Sequence, residues 1–342
     1  MKNFKAYNVP KMDIKIKLDA NENPFNVPEE MLKEICESVK KIDFNRYPDS
    51  ETEEIRKAYG EYANVNPENI LAGNGSDEFI KIIDEAFLNE SDKVVILNPD
   101  FSMYGVSAEA SGGNIVYFDL DDDMKLNVDE LIAKVNSEGA KLLFFSNPNN
   151  PTGMSLKREE VIKIIEGCNC VVVVDEAYSE FNGVTVIDKI DDYENLIILR
   201  TCSKAVGGAS IRLGFIISNK AILGEVKKLK SPYNVNSVTQ VIGKVFLKNP
   251  QRILNILNII FRERSYVCSA IKEISGIKVY DTESNFVLIK CENAEKVYEE
   301  LVKQGISVRN FGGSKLKNCL RITFGTREQN DLILDSLKRI LG

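Results

Sequence analysis

Lys204 lies in "NLIILRTCSKAVGGASIRLGFII", in a small-residue loop between two apolar runs, among Thr201, Ser203, Gly207 and Gly208. Lysines of soluble proteins ordinarily keep their ammonium in water on exposed faces. An amine delivered to the end of an apolar strand, with hydroxyls beside it and the Arg212 guanidinium eight residues on, reads as a nucleophile for a carbonyl next to an anion site. Taken alone, a solvated loop lysine is the simpler account, and the other loops decide the matter. Asp175 ends four consecutive valines in "VVVVDEAYSEF", where a desolvated carboxylate needs a partner. It suits a helix cap, or a cationic heterocycle nitrogen with Tyr178 nearby as a phenolic donor. "NPNNPTG", residues 147–153, makes a rigid turn that can hold the Asn150 amide in place.

"GNGSDE", residues 73–78, opens a helical pattern. Glycines followed by Ser76 as N-cap leave backbone N–H groups pointing outward, favourable for phosphate; an ordinary strand-to-helix turn has the same appearance. The stretch is not G-x-G-x-x-G, since Glu78 takes the third glycine position, and no P-loop lysine follows, so a dinucleotide reading is weak. A phosphate cradle, a carboxylate for a ring nitrogen, a Tyr and an Asn for a ring oxygen, and an amine that condenses with an aldehyde together describe pyridoxal 5′-phosphate, PLP. Opposite unit charges about 4 Å apart at an effective dielectric of about 20 attract by ~4 kcal/mol, or about three pK units. That is enough for Asp175 to keep a pyridine nitrogen protonated at neutral pH.

Composition narrows the alternatives. The chain has no histidine, which removes Ser–His and Cys–His pairs and every His-ligated metal. Seven cysteines are scattered. Only Cys168 and Cys170 lie close, and C-x-C without a second pair reads as buried small hydrophobes in a reducing cytosol rather than a metal site. A net charge of −7 argues against nucleic acid as a partner. The start of the chain shows no uninterrupted apolar stretch, so neither a secretory signal nor a membrane anchor is expected and the location expected is the cytoplasm.

Seven short apolar runs precede these loops: "NILAGN", "DKVVILNP", "GNIVYFDL", "KLLFFSNP", "CVVVVDEA", "NLIILRT" and "LGFIIS". Several are continuous, as in strands buried on both faces. Helical patterns such as "SDEFIKIIDEAFL" and "NVDELIAKV" lie between most of them, which predicts an α/β fold with a mostly parallel seven-stranded sheet. A long helical stretch from about 236 to 274 follows, then "NFVLIKC", the helix "NAEKVYEELVKQG", "ISVRNF", "CLRITF" and a closing helix. These read as a smaller α+β domain. The division expected is a large PLP-binding domain at 40–250, with 1–39 and 251–342 forming an N-terminal arm and the small domain. Ligands of open α/β sheets bind outside the carboxyl ends of the strands, where the informative residues lie.

The order GSDE, PxFxMY, PNNPTG, DEAY, TxSKA…R, PYNVN and LRITFGT resembles that of fold-type I PLP-dependent aminotransferases, and most of all their histidinol-phosphate branch. The match runs from "LDANENP" (18–24) through "RYPD" (46–49) to "LRITFGTRE" (320–328). The resemblance implies that Lys204 bonds the cofactor and shuttles a proton. Asp175 would bind the ring nitrogen, Tyr178 and Asn150 the ring oxygen, and Phe101 would stack on the ring. Backbone groups of Gly75, Ser76 and Asp77, with Thr201, Ser203 and Arg212, would hold the phosphate, provided that the Asp77 side chain turns away. Tyr47 would reach across a homodimer interface to the other subunit's phosphate. Arg321 would receive the substrate anion, a carboxylate in many aminotransferases and a phosphate in this branch, with Arg309, Asn150 and Tyr7 assisting. Ser210 and Cys202 depart from the residues usual in such loops.

The activity implied is histidinol-phosphate:2-oxoglutarate transamination in histidine biosynthesis. L-threonine-O-3-phosphate decarboxylation, and transamination of aromatic or other amino acids, are the alternatives. A non-catalytic PLP-binding sensor and a Rossmann oxidoreductase fit less well.

Overall fold

The computed structural model describes residues 14–313 and 315–341. The chain opens with β1 (Ile16–Leu18), α1 (Glu29–Val39) and α2 (Glu53–Ala63). It then alternates through β2 (Ile70–Asn74), α3 (Ser76–Phe87), β3 (Lys93–Asn98), α4 (Met103–Ser111), β4 (Asn114–Asp119), α5 (Val128–Glu138), β5 (Leu142–Ser146), α6 (Arg158–Gly167), β6 (Val171–Asp175), β7 (Leu196–Thr201) and β8 (Leu213–Ser218). Each of the seven apolar runs is one strand of a single sheet, in the order β2-β8-β7-β6-β5-β3-β4. Only β8 runs against its neighbours. Strand periodicity builds the core on both faces. Val95, Leu97, Leu143, Phe145, Val172 and Val174 pack on one side, and Val94, Ile96, Leu142, Phe144 and Val173 on the other. β4, at the edge, is the strand whose residues stay partly exposed.

The helical stretch expected from 236 to 274 is two helices preceded by α7 (Lys220–Leu229): α8 (Ser237–Leu247) and α9 (Pro250–Lys272). Pro250 supplies no N–H and occupies the first turn of α9, where a missing donor costs nothing, so the chain breaks there and restarts. Beyond it lie β9 (Ile277–Val279), β10 (Phe286–Cys291), α10 (Ala294–Lys303), β11 (Ile306–Asn310), β12 (Cys319–Thr323) and α11 (Arg327–Leu341). Their strands form a second sheet, β1-β11-β12-β10-β9. Its outer member β1 comes from the start of the chain and pairs in parallel with β11, Leu18 opposite Val308. The segment that follows β1 therefore crosses from the second sheet toward the first. Among the described residues no helix is long and apolar enough to cross a membrane.

Candidate active site

A cleft of about 910 Å³ lies where the carboxyl ends of the large sheet face the second sheet. Asp175, Tyr178, Thr201, Ser203, Lys204, Asn150, Phe101, Ser76, Asp77, Arg212, Arg309 and Arg321 all line it. β5, β6 and β7 are adjacent and parallel, so Ser146, Asp175 and Thr201 end at one edge. The antiparallel β8 starts at that edge, which places Arg212 beside them.

Asp175 is buried, and its Oδ2 accepts from the Tyr104 phenol at 2.7 Å while Oδ1 accepts from Ala177 N–H at 3.0 Å. Burial pushes its carboxyl up to about 6, against the lowering effect of these two donors. Among the described residues no lysine or arginine forms an ion pair with it. Lys204 Nζ stands 5.7 Å from the Tyr178 ring centroid and donates to the Ala20 carbonyl at 2.8 Å. The Asn150 N–H donates to Ser146 Oγ at 3.0 Å, and its side-chain oxygen accepts from Arg321 Nη1. Arg321 Nη2 also donates to the Asp19 carbonyl at 2.6 Å.

At the phosphate end, α3 begins at Ser76, so the cap is Gly75 and not Ser76 as the sequence suggested. The reason is Gly75's φ of +78°, a turn that favours glycine. A Cβ on Gly75 would lie 2.7 Å from Arg212 Nη2, so the side-chain-free turn leaves the helix N-terminus open beside a guanidinium. Glu78, the residue that breaks the glycine pattern, folds back to accept from Asn74 N–H at 2.7 Å and from Asn234 at 2.9 Å, pinning the turn. Ser203 N–H donates to Thr201 Oγ1 at 3.1 Å, and Arg212, itself at φ +51°, reaches Ser203 Oγ at 3.4 Å. The Asp77 carboxylate does not turn away from this cluster: it pairs with Arg212 at 3.4 Å, both side chains half exposed.

Arg309 and Arg321 face each other across β11 and β12 as register partners, and residues opposite in an antiparallel pair share a face. Phe101 meets Tyr104 edge-on at 5.6 Å. Tyr47 is not brought to this cleft: it is largely exposed and stacks on Tyr233 at 4.7 Å. Tyr7 lies outside the described residues.

Several residues of the site had no role assigned from sequence. Tyr104, the last residue of the PxFxMY motif, holds Asp175. Asp100 anchors the Asn150 turn by accepting from Ser146 N–H at 3.0 Å and from its hydroxyl, and from Phe101 N–H at 2.8 Å; burial pushes it up to about 7. Gly214 allows β8 to pass the α3 turn, since a Cβ there would lie 2.2 Å from Ser76 N. Asn21 reaches the Tyr178 hydroxyl from the N-terminal segment. Asp100 and Asn21 share one signal, a position two or three residues after a strand, whereas Tyr104 lies on α4 and Gly214 inside β8, where that signal is missing.

These features fit PLP. A buried carboxylate held above its usual range, with a phenol and an amide N–H but no cation, suits a protonated ring nitrogen. The open Gly75 turn beside Arg212 suits a phosphate, and the cleft presents an amine.

Residues 13–337 match the model of the family described as aminotransferase class I and II. The chain is 49% identical over 338 residues to the histidinol-phosphate aminotransferase of Clostridium novyi, covering 99% of this chain and 95% of that protein. It is 43% identical over 343 residues to that of Caldanaerobacter subterraneus, covering 100% and 97%. Its fold superposes on the histidinol-phosphate aminotransferase of Sinorhizobium meliloti in complex with pyridoxal-5′-phosphate with a TM-score of 0.90, at 24% identity, over 96% of this chain and 91% of that one. The Clostridium acetobutylicum histidinol-phosphate aminotransferase gives a TM-score of 0.87 at 28% identity, over 95% and 98%. With this cleft, these relatives and a family match along nearly its whole length, the chain belongs to the class I and II aminotransferases and is an enzyme that uses PLP.

Proposed function

We propose that this enzyme transfers the amino group of L-histidinol phosphate to 2-oxoglutarate in histidine biosynthesis, as a cytoplasmic homodimer. The observation that carries this reading is the opposed pair Arg309 and Arg321 on the cleft that also holds Lys204. A substrate phosphate is an anion that two guanidiniums on one face of a sheet can hold together. In L-histidinol phosphate a phosphorylated hydroxymethyl group stands where an amino acid has its carboxylate, so its phosphate is the anion it offers them.

When bound, PLP supplies an electrophilic aldehyde carbon and a cationic ring that takes up the electron pair of a broken C–H bond. Lys204 would bond that carbon in the resting enzyme, and its amine, when released, would carry the proton of the amine-bearing carbon. Asp175 keeps the ring nitrogen protonated, while Tyr178 and Asn150 hold the ring oxygen. Phe101, which lines the cleft, would stack on the ring. Gly75, Ser76 and Asp77 offer backbone N–H groups to the phosphate, with Thr201, Ser203 and Arg212, whose half-exposed pairing with Asp77 is weak enough to exchange. Tyr47, which does not line this cleft, would serve that of the second subunit. The division into 40–250 and 1–39 with 251–342 is supported by the sheets: strands of the first lie within 70–218, and those of the second within 16–18 and 277–323.

The test is the visible spectrum of PLP-loaded protein before and after addition of L-histidinol phosphate, L-threonine phosphate or common amino acids. Conversion of the cofactor band by histidinol phosphate, restored by 2-oxoglutarate, is the result expected. Carbon dioxide release from threonine phosphate would instead make the enzyme a decarboxylase, and a response only to ordinary amino acids would sink the phosphate assignment.

A further inference from the structure

Asn21 links the Tyr178 phenol to the strand that carries Arg321 without belonging to either half of the proposed chemistry. It is buried, at φ +53°, a left-handed conformation that asparagine enters more readily than most side chains. Its polar groups are committed. The backbone N–H donates to Thr323 Oγ1 at 3.0 Å, and the carbonyl accepts from Asn285 Nδ2 at 3.0 Å. Side-chain Oδ1 accepts from the Thr323 hydroxyl at 3.1 Å. With the amide oxygen on the Thr323 hydroxyl, the amide nitrogen is the end left for Tyr178. Nδ2 is thereby turned to Tyr178, donating to its phenol oxygen at 2.9 Å.

A phenol that accepts a hydrogen bond still has its own O–H to give, and accepting polarises that O–H into a stronger donor. With Nδ2 beside its oxygen, the Tyr178 hydrogen must point elsewhere, and Tyr178 lines the cleft next to Lys204. The other end of the chain of bonds is Thr323, two residues from Arg321 on β12 and so on the same face of the strand. One amide thus connects the strand carrying Arg321 to the phenol beside Lys204.

We propose that Asn21 is a positioning residue for the aminotransferase reaction: its side-chain amide orients and strengthens the Tyr178 phenol as a donor to the cofactor's ring oxygen, and ties that donor to the Arg321 strand. This rests on the reading of Tyr178 as the ring-oxygen donor. A donor to that oxygen favours its unprotonated form, so weakening the donor raises the pH at which the bound cofactor's visible absorbance titrates.

The experiment compares that midpoint in PLP-loaded wild type, Asn21→Gly, Tyr178→Phe and the double variant. Glycine keeps the left-handed backbone at no steric cost, so the change removes the amide and little else. Asn21→Gly should raise the midpoint by about half to one pH unit, a three- to tenfold change in proton affinity. Tyr178→Phe should raise it at least as far, and adding Asn21→Gly to Tyr178→Phe should change nothing more. Asn21→Asp keeps the shape and gives the phenol an acceptor, so it too should raise the midpoint, and it serves if the glycine variant does not hold cofactor. An unchanged midpoint in both Asn21 variants, or the same shift whether or not the phenol is present, overturns the proposal. If Tyr178→Phe alone leaves the midpoint in place, the reading of Tyr178 fails, a distinct result that removes the proposal's basis.

Discussion

Asp175 and Glu176 are consecutive, both buried and both acidic, yet they look into different regions. Glu176 faces a closed network: Arg200 meets it through Nε at 2.8 Å and Nη2 at 2.7 Å, the Thr185 hydroxyl donates at 2.7 Å, and Val186 N–H donates at 2.9 Å. Its charge is balanced within the chain. Asp175, on the cleft side, has a phenol and one N–H. A buried carboxylate without a cation is costly, and a protein that can supply an arginine to one position could supply one to the next. The difference teaches that the region behind the sheet end is built for rigidity, while the cleft side leaves one charge to be balanced by a cation that the cofactor brings.

The largest effect expected from breaking that contrast is on catalysis. Asp175→Asn should lower kcat by about 10³-fold, the equivalent of three pK units of ring-nitrogen stabilisation, while the cofactor-free protein melts no lower than wild type at neutral pH, because a desolvated charge has gone. The wild-type protein should bind PLP less tightly as pH falls through about 6, where Asp175 without cofactor takes up its proton, and the Asn variant should lack that dependence. Steady-state kinetics with melting curves and fluorescence titration of PLP decide it; near-normal turnover in the variant would refute the assignment.

Behind the sheet, Arg200→Met should cost about 3–5 kcal/mol of folding stability by leaving Glu176 buried and unbalanced. Urea denaturation measures this, and a loss of activity without a loss of stability would erase the distinction between the two regions. Gly214→Ala probes how tightly the frame carries the phosphate end. Its Cβ would press on Ser76 N and on the Gly75 carbonyl carbon, 2.3 Å away, so a loss of about 1–3 kcal/mol is expected, with weaker PLP binding seen in the same titration.

Asp84 sharpens the comparison with the smallest effect. It is a buried carboxyl on α3, away from the cleft, and burial pushes it up to about 7 from 3.8. The folded chain holds this proton more tightly than the unfolded one, so its contribution to stability falls as pH rises from about 4 to about 7. Asp84→Asn should remove that slope and stabilise the protein at pH 8 by about 1 kcal/mol, the amide being costly to bury as well. PLP binding should not change. A change in cofactor affinity would mean that Asp84 is coupled to the cleft and would remove the contrast between it and Asp175.

The sequence by itself determined the large sheet and most of the residues at its carboxyl edge. Seven apolar runs became seven strands because continuous apolar residues buried on both faces leave little choice of conformation. A residue placed just after such a run, as Asp175 and Lys204 are, must emerge at the strand end whatever else happens. Proline at 250 was visible too, although its effect, a break between α8 and α9, was not drawn from the pattern. Only the tertiary structure decided the rest. That Arg309 stands opposite Arg321 depends on the register of β11 with β12. That Asn21 meets Tyr178, 157 residues away, depends on β1 joining the second sheet. That Tyr104 rather than a cation holds Asp175 depends on how α4 packs on the sheet. Strand ends are local consequences of periodicity, whereas register, cross-sheet contacts and the withholding of a partner are set by long-range packing, which no short stretch of sequence encodes alone.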